Sequence, residues 1–418
     1  MAQLSADVFA VGDRLMPVDE ALALIKARTP AVAEAEDVAL IDADGRVLAQ
    51  DLTAPLDLPV FDNSAVDGYA VRFADLRSDA DTALPVVGRI IAGGAPDAPL
   101  GAATAARIFT GAAMPDGADT VFMQEDARVL DDGRVLLPKG LKRGANRRPR
   151  GEDIVRGDLA IAAGRRLTPQ DIALAAALGL THLRVRRPLR AAVFSTGDEI
   201  VSPGAPLGPA QLYDSNRFAL QALLKRLGCA VSDLGVLPDN RDAVRAALSR
   251  AAKDHDLVLT SGGVSLGEED HVKAAVEEAG ALAFWRLAIK PGRPVAMGVV
   301  AGAPFIGLPG NPVAVFVTFA YVARPLILAL SGAVEEPRPM LPVRAGFSYK
   351  KKAGRREYVR VRIVAGTDGA AVAEKYEVEG AGVITSLTRT HGLVELDEAA
   401  TNVAPGDMVR FIDYAALR

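Results

Sequence analysis

The chain has 418 residues, 50% hydrophobic and 24% charged, with 39 glycines and 26 prolines. That is a globular, turn-rich composition, too long for one ordinary domain; length suggests about two to four. A net charge of −4 and a single cysteine exclude a general polyanion binder, an internal disulfide, a cysteine-rich zinc site and an iron–sulfur cluster. Cys229 reads as a small buried hydrophobe, and His182, His255, His271 and His391 lack metal-ligand spacing. Met1 to Arg14 shows no positive-then-apolar signal pattern, and the apolar run Val313 to Leu330, interrupted by Arg324-Pro325, reads as a buried helix rather than a membrane span. The expected setting is soluble and reducing, hence cytoplasmic, with neither nucleic acid nor membrane as partner.

Val18, Ala21, Leu22 and Ile25 form an apolar stripe that predicts a helix from Met16-Pro17 to Thr29-Pro30. Val38 to Pro59 is β and loop. The stretch Pro59 to Val71, with Asp62 and Asp67 around Asn63-Ser64 and before Gly68, predicts a turn entering a strand. It fits a capped turn as well as a pair of carboxylates presented on a bend. Leu84 to Ile91, Arg107 to Ala112, Val121 to Glu125 and a hairpin around Asp132-Gly133 continue a β-rich module. Lys139 to Arg150 carries six basic residues in twelve, which suits a solvated connector or an anion-attracting rim. Thr168-Pro169-Gln170-Asp171 opens a helix that Gly179 ends.

From Leu189 buried-type strands alternate with helices. Strands are predicted at 190–194, 231–237, 256–259, 284–289, 295–300 and 305–308, and helices at 214–227, 240–253, 268–279 and 311–330. This pattern implies a mostly parallel sheet with helices on both faces, onto which the first helix packs back. Beyond a linker at Glu335 to Pro339, alternating runs at 358–364 and 408–412 predict a small all-β domain. Lys350 to Lys352 and Arg355-Arg356 read there as a solvated hairpin face.

Ligands of an open α/β sheet bind beyond the carboxyl ends of its strands. Ser195-Thr196-Gly197-Asp198-Glu199, Leu237 to Asn240, Ser261-Gly262-Gly263-Val264-Ser265, Lys290-Pro291-Gly292-Arg293-Pro294 and Leu308-Pro309-Gly310-Asn311-Pro312 all fall there. The serine-flanked glycines let backbone N–H groups approach an anion, but no Walker lysine is present. Lys290 and Arg293 stand on a proline-stiffened loop suited to an oxyanion. Asp198, Glu199, Asp239 and Asp270 suggest Mg²⁺ bridging acids and a substrate phosphate, although each alone fits a helix cap or first-turn acid. No serine, histidine or cysteine nucleophile pattern exists, so the implied chemistry is phosphate-centred positioning and charge neutralisation.

Eight ordered motifs then resemble those of the molybdopterin molybdenumtransferases, the bacterial MoeA proteins and the E domain of gephyrin. They are Phe61 to Ala70, Thr110-Gly111-Ala112, Arg150 to Asp153, Ser195 to Glu199, Tyr213 to Asn216, Ser261 to Ser265, Lys290 to Pro294 and Leu308 to Pro312. Val66 stands where methionine is common and Arg293 where lysine is common; neither change removes a charge.

The resemblance implies a multidomain α/β plus β fold. Its parts are a doubly wound, mostly parallel α/β domain of the molybdopterin-binding type (1–27 and 180–330), a connecting domain (28–56 and 142–179), a β-rich domain (57–141) and a C-terminal barrel-like β domain (331–418). It implies an elongated homodimer that takes adenylylated molybdopterin and molybdate, releases AMP with Mg²⁺ and leaves molybdenum on the dithiolene. Contact with the adenylyltransferase and with cofactor-accepting enzymes is expected. By motif position, Asp67, Thr110, Asp153, Glu199, Asp239 and Asp270 match activity-linked positions, the last three as the Mg²⁺ ligands. Substrate binding is expected from Asp62, Ser195, Thr196, Gly197, Ser261, Gly262, Gly263, Ser265, Lys290, Gly292, Arg293, Pro309, Gly310, Asn311 and Pro312. Asp67 is expected near the Glu199 of the other chain. The alternatives are a molybdopterin adenylyltransferase and a non-catalytic scaffold of the gephyrin type.

Overall fold

The structure, a computed structural model, describes Leu4, Phe9 and residues 15–238, 240–262, 271–334 and 337–417. The start of the helix predicted from Glu268 and the linker residues Glu335-Glu336 lie outside that set.

A seven-stranded sheet organises the α/β unit, in the order Leu15–Met16, Gly280–Leu287, Pro294–Val300, Ala303–Leu308, Leu257–Ser261, Arg190–Thr196, Ala230–Leu237. Pro294–Val300 runs against both its neighbours, and the other six strands point one way. Leu257–Ser261 and Ala303–Leu308 are buried at every residue, as strands covered on both faces must be. Side chains alternate between the two layers. Ala191 and Val193 join Val18, Ala21, Ile25, Leu220 and Phe319 on one face, whereas Ala192 and Phe194 join Val244, Leu248, Val272 and Val276 on the other. The first helix, Val18–Arg28, therefore packs on this sheet.

The long apolar helix differs from its expectation. Pro312–Thr318 and Arg324–Leu330 are α-helical, but Phe319–Ala323 between them is π-helical. Thr318 Oγ1 donates back to the Ala314 and Val315 carbonyls, and Pro325 lacks an N–H for the turn before it. Both features loosen the i to i−4 ladder there. By length and composition this segment is apolar enough to cross a membrane, yet 83% of its apolar window is buried inside the protein.

Further elements surround this unit. Ala35–Ala39 pairs with His182–Arg186, and the helix Pro169–Ala177 starts from the expected capping box between Thr168 and Asp171. A six-stranded sheet runs Thr120–Met123, Gly68–Val71, Ala105–Ile108, Thr82–Ile90, Arg134–Leu137, Arg128–Val129. In the C-terminal region Arg356–Ala365, Ala371–Lys375, Leu341–Ala345, Met408–Asp413 and Gly392–Leu396 close into a five-stranded barrel. Tyr358, Leu393 and Ile412 of this barrel, with Tyr414 just beyond its Met408–Asp413 strand, belong to the same apolar cluster as one face of the α/β sheet. The short strand Ile289–Lys290 pairs with Arg356 and Glu357, so main-chain bonds also join the two units.

The basic segment at 350–356 is only partly a solvated face. Lys350 and Lys352 are exposed, but Lys351 is buried and donates to the Asp397 and Ala400 carbonyls at 2.7 Å each. Arg356 is turned to Asp19 on the first helix, at 2.8 and 3.0 Å. Charge composition alone cannot distinguish these positions, because the partners come from segments remote in the chain.

Candidate functional site

The strands Arg190–Thr196, Leu257–Ser261 and Ala303–Leu308 end on one edge of the sheet, and the loop from Ile289 to Arg293 lies beside them. The barrel faces that edge, and the two border an open cavity of about 580 Å³. Glu199, Gly262, Lys290, Gly292, Arg293, Pro309, Gly310 and Asn311, all among the expected site residues, border it from the sheet side. Tyr349, Arg360, Lys375, Tyr376 and Glu379 border it from the barrel, and sequence reasoning missed all five. Of the five only Arg360 falls in a pattern the sequence singles out, the alternating strand Tyr358-Val359-Arg360-Val361-Arg362, which resembles an ordinary solvent face. The fold separates its two arginines: Arg360 is buried and Arg362 exposed.

Four cations meet here. Lys290 Nζ lies 3.3 Å from the Glu357 carboxylate, donates to the Tyr349 hydroxyl at 3.2 Å and sits over the Tyr349 ring. Burial works to raise the Glu357 carboxyl, but the Tyr349 hydroxyl, Arg355 and Lys290 outweigh it and hold it below its ordinary value. Burial and the Glu357 charge push the Tyr349 phenol well upward. Lys375 pairs with Glu379, which that bond holds below its usual range. Among the described residues the Arg360 side chain makes one long bond, to the Val378 carbonyl at 3.4 Å, and its buried Nε has no partner. Burial lowers its pKa, so a desolvated guanidinium stands at the cavity with hydrogen-bonding capacity unused. Arg293 lines the same space with no side-chain partner among the described residues.

Local backbone geometry places these groups. The Lys290-Pro291 peptide is cis, and Gly292 has φ +104° with no room for a Cβ. At Gly197, φ +130°, a Cβ would come within 2.6 Å of the Glu199 carboxylate, which folds back over this glycine. Pro312 is the first residue of its helix, and Asn311 precedes it without using its side chain as a cap. The Val313 N–H donates to the Ala381 carbonyl of the barrel. Ser195 and Thr196 end their strand with buried hydroxyls that have no partner among the described residues. The Ser261 hydroxyl is already committed, donating to the Pro309 carbonyl at 3.1 Å and accepting from Asn216 at 2.9 Å.

The β-rich region contributes nothing to the lining of this cavity within the chain. Asp62 accepts from Arg147 and from the Arg150 N–H, which makes it a strut between the bend and the basic segment. Arg143 and Arg150 similarly pair with Asp119 and Asp57, so much of the basic run is internally neutralised. Asp67 accepts from both the N–H and the hydroxyl of Thr110, at 2.8 Å each. Those bonds, the backbone one foremost, hold its carboxyl below the ordinary value in a solvent-facing position. The Asp153 N–H donates to the Leu58 carbonyl, and Asp153 does not border the cavity. Asp239, Gly263, Ser265 and Asp270 lie outside the described residues.

Among the described residues no three histidine, cysteine, aspartate or glutamate side chains form a metal-holding group. Glu199 is the one described member of the expected ligand set. A Mg²⁺ ion commonly takes one or two protein carboxylates and completes its shell with water and phosphate, and an exposed carboxylate at a cation-lined cavity fits that mode.

Comparison with known proteins agrees along the whole chain. Residues 16–179 match the MoeA N-terminal region (domain I and II), 192–329 a probable molybdopterin binding domain, and 342–414 the MoeA C-terminal region (domain IV). A molybdopterin molybdenumtransferase of Haemophilus influenzae is 38% identical over 396 residues, spanning 94% of this chain and 98% of the relative. Molybdopterin molybdenumtransferase 2 of Mycobacterium tuberculosis is 37% identical over 387 residues, spanning 90% and 94%. A crystal structure of the molybdopterin biosynthesis MoeA protein of Pyrococcus horikoshii superimposes with a TM-score of 0.81 at 27% identity, covering 96% of this chain and 100% of that one. A second structure of that protein gives 0.74 at 32% identity, covering 96% and 99%.

Proposed function

This chain belongs to the molybdopterin molybdenumtransferase family, MoeA, and we propose on that premise that its cavity is where molybdate passes to the dithiolene of molybdopterin. It is a transferase of molybdenum cofactor biosynthesis. The observation that carries the assignment of the cavity is the convergence of Lys290, Arg293, Arg360 and Lys375 beside Glu199 between the sheet edge and the barrel.

Arg360 and Arg293 suit a tetrahedral oxyanion. Each offers N–H donors in a fixed fork, and Arg360 gains from replacing a lost hydration shell. The glycine-bearing loops at Gly262 and Gly310 allow the main chain to approach substrate phosphate closely. In our reading the pterin arrives adenylylated. Water attacks phosphorus, the phosphoanhydride P–O bond breaks, and AMP leaves with the bridging oxygen or with the newly bonded one; the two dithiolene sulfurs bond molybdenum as one molybdate oxygen departs with their two protons as water. Glu199 orients the attacking oxygen on one side, and Asp67 is the candidate on the other. Mg²⁺, held by Glu199 with Asp239 and Asp270, would supply charge neutralisation at the pyrophosphate.

Asp67 and Thr110 do not border the cavity of their own chain, which supports a homodimer in which they serve the partner's site. The single buried cysteine suits a cytoplasmic enzyme, and hand-over from the adenylyltransferase and to cofactor-accepting enzymes follows in this reading from the shared substrate and product. The test is incubation of the pure protein with adenylylated molybdopterin, molybdate and Mg²⁺. AMP release together with activation of an apo-molybdoenzyme is expected; neither appearing would overturn the reading.

A further inference from the structure

We propose that Asn216 is a positioning residue whose amide clips the two glycine-bearing loops of the cavity together and sets the spacing of its floor. The inference rests on the function proposed above and assigns a role to the Tyr213-Asp214-Ser215-Asn216 segment, which that function leaves unused. Both amide hydrogens of Asn216 are engaged. Its Nδ2 donates to Ser261 Oγ at 2.9 Å and to the Gly310 carbonyl at 2.6 Å, and Ser261 Oγ passes its own hydrogen to the Pro309 carbonyl at 3.1 Å.

These bonds start where the sheet stops. The parallel pairing of Leu257–Ser261 with Ala303–Leu308 ends at Ser261 opposite Leu308. The Gly262 N–H bonds to the Leu308 carbonyl at 3.0 Å, the last main-chain bond between the two segments among the described residues. The amide of Asn216 takes over from that point. Aspartate has the same shape and no donor, serine has one donor, and glutamine is one methylene longer, so asparagine is the side chain that fits.

The base of the clip is fixed independently. Asn216 begins the helix Asn216–Arg226, and the neighbouring Asp214 and Arg217 form a buried ion pair at 2.8 Å. Arg217 also binds Asp233 on the adjacent strand Ala230–Leu237. Asn216 itself does not border the cavity, whereas Gly262 and Gly310 do, so it acts through them.

The test compares wild type with Asn216→Asp, Asn216→Ala, Ser261→Ala and the Asn216→Ala/Ser261→Ala double variant. Turnover of adenylylated molybdopterin, calorimetric binding of inorganic pyrophosphate and melting temperature are measured for each. Asn216→Asp is expected to raise KM and the pyrophosphate Kd about tenfold at a near-wild-type melting temperature, as loss of one to two net hydrogen bonds predicts. Adding Ser261→Ala to Asn216→Ala should raise them no further, because one clip is lost once. Unchanged KM and Kd in Asn216→Asp, independent multiplication in the double variant, or a loss confined to melting temperature and kcat would each overturn the proposal. A wild type that turns over nothing would overturn the proposed function, and the pyrophosphate series would still decide the clip.

Discussion

The carboxylate of Glu357, 1% exposed, lies 3.3 Å from the ammonium of Lys290 across the join between the α/β sheet and the barrel. It also accepts from Tyr349 and Arg355 at 2.7 Å each. A barrel residue thus determines where a cation of the sheet edge stands, and the site depends on the docking of the two units.

Glu357→Gln is expected to lower stability by about 1–3 kcal/mol, since Lys290 and Arg355 lose a shared counter-charge but are themselves partly hydrated. The sign of the pH effect follows from the direction of the shift. The folded carboxyl is held below its ordinary 4.5, so its contribution is present above pH 4.5 and is lost as pH falls through the lower folded value. Urea unfolding of wild type and Glu357→Gln between pH 7 and pH 3 should show the gap narrowing below pH 4.5. A constant gap would contradict the assignment.

Gly292→Ala should disturb both fold and site. A Cβ at this φ of +104° would meet Thr318 Cγ2 at 2.5 Å and the Ala314 carbonyl at 3.2 Å. The expected cost is about 1–3 kcal/mol, with Lys290 and Arg293 displaced and KM for molybdate raised. Wild-type unfolding and kinetics would show that the loop tolerates the side chain.

Asp67→Ala and Glu199→Ala are each expected to abolish most turnover while leaving the fold intact, because both side chains face solvent or the cavity. If two chains share each site, co-refolding the two inactive variants should restore activity through mixed dimers carrying one intact pair. Absence of rescue in verified mixed dimers would place Asp67 outside the partner's site.

Much of the α/β unit was legible in the sequence. Short continuous apolar strand runs and the capping chemistry of Thr168-Pro169-Gln170-Asp171 are local properties, so their elements fall close to where they are expected. The loops at 195–199, 290–294 and 308–312 were legible for a related reason: strand order places the carboxyl ends of parallel strands on one edge. The π-helical turn at Phe319–Ala323 was less legible, because it depends on how the Thr318 hydroxyl rotates within a buried helix.

The bend from Asp62 to Ala70 shows the limit most clearly. Its two carboxylates are alike in sequence, yet Asp62 is taken up by Arg147 while Asp67 is held open by Thr110. By itself the sequence determined the family, the α/β framework and the chemical types available at the sheet edge, since these follow from local pattern and motif order. Only the tertiary structure decided that the barrel supplies Arg360, that Glu357 holds Lys290 and that Asn216 joins the loops. Each of those contacts pairs residues dozens of positions apart, and pairing at that range is set by how whole units dock rather than by any neighbouring sequence.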